Sequence, residues 1–235
     1  MPWLPLLIAV MVALATAAAT RPVLRWLGAP EPTPPTPDAA GAPPAPDEAA
    51  GDAVDFGALA TGRFAGIVGL LTLGAGLIAY GLLPPAAWLA WTALVAPGAL
   101  AIAVDGATTW IPYALTLTMA VTAAVGVLLW ALLAGNAWIV ASAALGALLT
   151  GGFFHLFHRL TRGGIGYADV RLMAVAGAVC APVSAQVGLW APLMGTIIGA
   201  GWGVARLLWR GRGEFAYGPS LWAGPFVALL LDRLL

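Results

Sequence analysis

The chain is 235 residues long, 61% of them hydrophobic and only 9% charged. Soluble domains carry about 25% charged residues, so this composition points to lipid as the main solvent. The formal net charge is zero, all ten basic residues are Arg, and six of the ten acids (Glu31, Asp38, Asp47, Glu48, Asp52, Asp55) crowd one short stretch, which excludes a basic nucleic-acid-binding surface.

A membrane-spanning helix needs about 20 mostly apolar residues, and unpaired backbone is prohibitive in lipid, so long apolar runs read as helices. The first run is Leu4–Thr20. Its basic residues, Arg21 and Arg25, follow it and none precedes it. A signal peptide wants a positive start, so this reads as an uncleaved span with its N-terminus outside. Residues 30–46 then hold eight prolines among Ala, Thr and acids, which predicts an extended, flexible linker. Further spans are expected at Phe64–Leu83, Ala86–Val104, Pro112–Ala134 and Trp138–Phe157. Val170–Trp209 is too long for one helix, and Pro182, Ser184, Gln186 and Pro192 suggest a turn inside it. Tyr217–Leu235 closes the set, giving an all-α polytopic membrane protein of about eight transmembrane helices. The organisation expected is a first helix at 1–20, a cytoplasmic Pro- and acid-rich linker at 21–63, and a seven-helix membrane core at 64–235.

Charge tests the topology, because basic residues favour the cytoplasmic side. With the N-terminus outside, nine of the ten arginines fall in cytoplasmic segments or at cytoplasmic helix ends, and only Arg233 falls outside. A multi-pass protein of the cytoplasmic membrane follows, with the lipid bilayer as its first partner. Trp88, Trp110, Trp138 and Trp190 near span ends fit an aromatic belt. The single cysteine, Cys180, lies in an apolar run and reads as a small hydrophobe.

Outside the linker only four acids remain: Asp105, Asp169, Glu214 and Asp232. Asp105 closes the third span and Asp169 opens the sixth, so this topology brings both to the cytoplasmic face. Two close carboxyl groups share a proton and can activate a water while protonating a leaving group. The bland alternatives are that Asp169 caps its helix and that Asp105 is a solvated residue ending a span. Spacing alone leaves both readings open. Glu214 belongs to a solvated loop and Asp232 to the opposite face. His155 and His158 read as interfacial polar residues, since no third metal ligand accompanies them.

The segment Gly164-Ile165-Gly166-Tyr167-Ala168-Asp169-Val170-Arg171-Leu172-Met173 resembles the second catalytic motif of the type IV prepilin peptidases, GxGD-type aspartic membrane peptidases. Asp105 with Ile111-Pro112 and Leu115-Thr116 is similar to their first motif, and Tyr217-Gly218-Pro219 to the segment before their last helix. The resemblance runs from about residue 86 to the last residue, in the family's order and spacing. It departs in Ala168, where the family has glycine, in Arg171, where it often has Lys, and in Tyr113 after the first-motif proline. The paired CxxC motifs associated with zinc and N-methyltransferase activity are absent from this sequence, so no methyl transfer is expected.

The resemblance implies an endopeptidase that removes the leader from prepilin or pseudopilin substrates at the cytoplasmic membrane face. Asp105 and Asp169 would be catalytic, and Gly164, Gly166 and Arg171 would shape or contact the substrate site, with no metal or organic cofactor. The rival expectation is a non-catalytic scaffold, a small-solute transporter, or an inactive peptidase homologue. A transporter places ionisable groups near mid-membrane, whereas these acids lie at span ends.

Overall fold

The computed structural model describes residues 3–28, 55–161, 165–210 and 216–234. Among them the secondary structure is all helical, in eight principal helices: α1 (Leu4–Leu27), α2 (Gly62–Leu82), α3 (Pro85–Thr108), α4 (Tyr113–Ala134), α5 (Trp138–Leu160), α6 (Tyr167–Cys180), α7 (Ala185–Arg210) and α8 (Gly218–Leu234). The protein is a polytopic all-α membrane protein. Six helices, α1 to α5 and α7, are long and apolar enough to cross a membrane, whereas α6 has 14 residues and α8 has 17.

The boundaries depart from the sequence reading in three places. Helix α1 does not stop at Thr20 but continues through Pro22 to Leu27, because Leu24 is fully buried and holds the added turns to the bundle. At the far end of the expected linker, Asp55 caps a short 3-10 turn, Phe56–Leu59, accepting from the Gly57 amide at 2.8 Å, and Phe56 is buried. The Pro-rich residues 30–46 lie outside the described residues. In the long apolar run the turn falls at 181–184, where Ser184 accepts from the Val187 amide at 3.0 Å and so caps α7. Pro192 sits inside α7 and breaks nothing; membrane helices tolerate such a residue where neighbours re-satisfy the freed backbone.

Consecutive helices make the most extensive contacts: α1 with α2, α3 with α4, α5 with α6, and α7 with α8. Lipid gives no hydrophobic drive between helices, so close approach over small residues must supply the attraction. Gly69 meets Ala17 while Gly76 meets Ala9, an antiparallel register. Gly146 lies against Gly177 and Gly151 against Ala174, so α5 and α6 are antiparallel too. Gly224 lies against Ala191 and Gly195, and Gly195 against Leu221, which does the same for α7 and α8. Helix α3 occupies the centre and is mostly buried, whereas α1 buries few of its residues.

Up-and-down alternation places the C-terminal ends of α1, α3, α5 and α7 and the starts of α2, α4, α6 and α8 at one end of the bundle. Seven of the eight described arginines (Arg21, Arg25, Arg63, Arg159, Arg171, Arg206 and Arg210) lie toward that end, and Arg233 at the other. Arg162 and Arg212 lie outside the described residues. Trp26, Trp110 and Trp209 are exposed toward the arginine-rich end, and Trp3 and Trp138 toward the other, as an aromatic belt requires. Trp88, expected in that belt, is instead half-buried, with its indole N–H on the Leu83 carbonyl at 3.0 Å.

Candidate functional site

Helix α3 carries a π-helical turn at Leu94–Gly98, containing Pro97, before its last ten residues. Pro97 donates no backbone hydrogen bond, and a helix bends where its ladder is interrupted in this way. Here the Trp222 indole of α8 donates to the Leu94 carbonyl at 2.8 Å. This buried bond ties the bend of α3 to α8. Beyond it α3 runs to Thr108 and ends on Thr109 in the left-handed conformation (φ 57°), whose amide bonds the Asp105 carbonyl.

Asp105 therefore lies inside the final turns of α3, not at a solvated helix end. Its side chain is 5% exposed, and its Oδ2 accepts from the Gly218 amide at 3.1 Å. That bond explains the glycine: a Cβ at residue 218 would lie 2.6 Å from the same oxygen. The glycine of the Tyr217-Gly218-Pro219 segment is thus a site residue, missed in the sequence because its role lies in its backbone.

Asp169 is the third residue of α6 and is 8% exposed. The Gly166 amide at the start of the helix hydrogen-bonds its carboxyl group. The capping reading is therefore half right: the side chain turns back to the N-cap amide, as acids at this helical position do, in the favourable field of a helix N-terminus. It also faces the other acid, for the Asp105 and Asp169 carboxyl groups lie within direct electrostatic reach. Two acids 64 residues apart in sequence (169 − 105) thus meet at the arginine-rich end, each held by one glycine amide. Ala168, the departure from the family pattern, is the second residue of α6, where its methyl group is partly buried against the apolar core.

The remaining predicted residues divide. Gly166 lies beside the Asp169 carboxyl group, and Gly164 lies outside the described residues. Arg171 is half-buried, its guanidinium 4.9 Å from the Tyr113 ring centroid and 5.8 Å from that of Tyr167. Asp232 accepts from Ser184 at 3.1 Å at the other end of the bundle. Glu214 lies outside the described residues, and Cys180 is fully buried.

The structure adds two residues. His158, near the end of α5, places Nδ1 2.7 Å from the Ile165 carbonyl, and its ring packs on Tyr167 at 5.5 Å. A carbonyl only accepts, so Nδ1 carries the proton and tethers the segment that leads to Asp169. The Tyr217 ring lies against Gly199, its hydroxyl donates to the Thr196 carbonyl at 3.3 Å, and it feels the charge of Asp169. Among the described residues, no three His, Cys, Asp or Glu side chains converge as a metal site would require. The chain matches no protein-family model, no curated protein and no solved structure.

Proposed function

We propose that this protein is a membrane-embedded aspartic endopeptidase that removes leader peptides from prepilin-like proteins. The observation that carries the reading is the buried pairing of Asp105 with Asp169, each oriented by a glycine amide. In such a pair one carboxylate takes a proton from a water, which attacks the scissile carbonyl. The protonated partner gives its proton to the departing amine, so one C–N bond breaks and one C–O bond forms. The sequence resemblance supplies the substrate class: a basic leader followed by an apolar helix. The clustering of arginines at the acid end supports a cytoplasmic location for that end.

The test is co-expression with a prepilin-like substrate, reading leader removal as a mobility shift. Replacing Asp105 or Asp169 with Asn keeps shape and removes the titratable proton. Cleavage should fall by about 10²–10⁴-fold or more, with insertion and abundance unchanged. The double variant should be little worse than either single one, because the pair acts as a unit. Asp232→Asn, far from the site, should cleave normally. Near-normal cleavage by Asp105→Asn would remove the dyad.

A further inference from the structure

The Gly218 N–H is the bond that holds Asp105, and its direction is set one residue earlier. A peptide unit is planar and trans, so the Tyr217 carbonyl and the Gly218 N–H share one plane and point opposite ways. The Tyr217 carbonyl accepts from the Ser220 and Leu221 amides at 3.1 and 3.3 Å, the first bonds of α8. The Gly218 N–H therefore points away from the helix. It is one of the amides that a helix N-terminus leaves without an intrahelical acceptor, and it meets the Asp105 carboxylate at 3.1 Å. Pro219, next in the chain, has no N–H to take over that task. Glycine is required at 218 because a Cβ would strike the carboxylate, yet glycine also leaves this peptide unit the widest freedom to turn. The plane has to be held from the Tyr217 side.

Tyr217 is gripped by α7. Along the contact line of α7 with α8, Gly195 receives the α8 backbone at Leu221, and one turn further on Gly199 receives the Tyr217 ring instead. A Cβ at Gly199 would run into that ring. The Tyr217 hydroxyl donates to the Thr196 carbonyl at 3.3 Å, three residues before Gly199 on the same face of α7. Gly199 is buried, and none of residues 200–209 is, so this slot is the last buried point of α7 toward the arginine-rich end. Tyr217 also lies within electrostatic reach of Asp169. One residue thus adjoins both acids, Asp169 directly and Asp105 through the amide that follows it.

We infer that Tyr217 is a positioning residue of the carboxyl pair: docked in the slot at Gly199, it fixes the peptide unit whose N–H holds Asp105. The ring supplies most of the hold, because the hydroxyl bond is long and exposed. That the position serves peptide cleavage rests on the function proposed above; the docking itself does not.

The experiment measures cleavage of a prepilin-like single-span protein by the full chain in membrane vesicles, per folded molecule. Tyr217→Ala should lower kcat by about 10²-fold, the scale of a 1 Å misplacement, and leave KM within about twofold. Tyr217→Phe keeps the ring and should stay within about threefold of wild type. Gly199→Ala displaces the ring and should lose about tenfold, yet add nothing in the Tyr217→Ala background, where no ring is left to displace. Gly201→Ala, at a position on α7 with open space around it, is the control and should cleave normally. Near-normal kcat in Tyr217→Ala, a loss carried by KM, or equal loss in the Phe and Ala variants would each overturn the inference. So would a Gly199→Ala loss that persists without the tyrosine. Should the wild-type chain cleave nothing, the peptidase reading falls alone, and unfolding in detergent micelles decides the positioning role. Tyr217→Ala and Asp105→Ala should then each lower stability, and together by less than the sum of the two. Strict additivity would overturn the inference.

Discussion

At the scale of single residues, the two glycines that hold the acids leave different amounts of room. A Cβ at Gly218 would sit 2.6 Å from the Asp105 carboxylate, whereas one at Gly166 would sit 3.4 Å from that of Asp169, an ordinary contact. Gly218→Ala should therefore displace Asp105 and lower cleavage by about 10²-fold, the scale of a 1 Å misplacement. Gly166→Ala should stay within a few-fold of wild type, a contrast that initial rates on one substrate resolve. His158 allows a second comparison. Asn places a side-chain N–H close to where Nδ1 stands, and Gln carries it a bond further. His158→Asn should keep the tether to the Ile165 carbonyl and near-normal kcat, while His158→Gln should lose about tenfold, roughly 1.4 kcal/mol of barrier. Equal loss in both variants, at equal abundance, would leave His158 without a positioning role.

At the scale of elements, the bend in α3 decides where Asp105 points. Leu94–Gly98 adds a residue to the helical turn, and the Trp222 indole takes up the Leu94 carbonyl. The Phe226 ring of α8 also packs on Trp91 of α3, with ring centroids 6.0 Å apart, so α8 holds α3 by one hydrogen bond and one aromatic contact. Trp222→Phe keeps most of the ring and removes the donor. It should destabilise the fold by about 0.5–1.5 kcal/mol, the net contribution of a typical hydrogen bond, measured by unfolding in detergent micelles. Cleavage should fall as well, since the last turns of α3 would be free to shift relative to Gly218. The short α6 is the other decisive element. With 14 residues it covers roughly 21 Å at about 1.5 Å per residue, less than a hydrocarbon core about 30 Å thick.

At the scale of the whole molecule, the topology follows from alternation of four helical hairpins. Reporters active only in the periplasm should be silent when fused in the 158–169 or 206–216 segments and active at 135–137 or 181–184. Strong periplasmic signal at 158–169 would invert the molecule and move the acids to the other face. Eight helices, their alternation and the gathering of arginines at one end were legible in the sequence, because apolar run length and basic side-chain placement are local properties set by the bilayer. The meeting of Asp105 and Asp169 at one end followed from counting spans. That both are buried did not, since burial depends on which helices pack around them. Nor did the sequence disclose that Gly218 serves Asp105, that His158 holds the turn before Asp169, or that Trp222 closes the bend at Pro97. Each is a contact between distant segments through a backbone amide, a carbonyl or an indole N–H, and no residue pattern encodes such a contact. Composition and span length determined the class of this protein. Close packing of small residues, which sets helix register to within one turn, decided the geometry of its site.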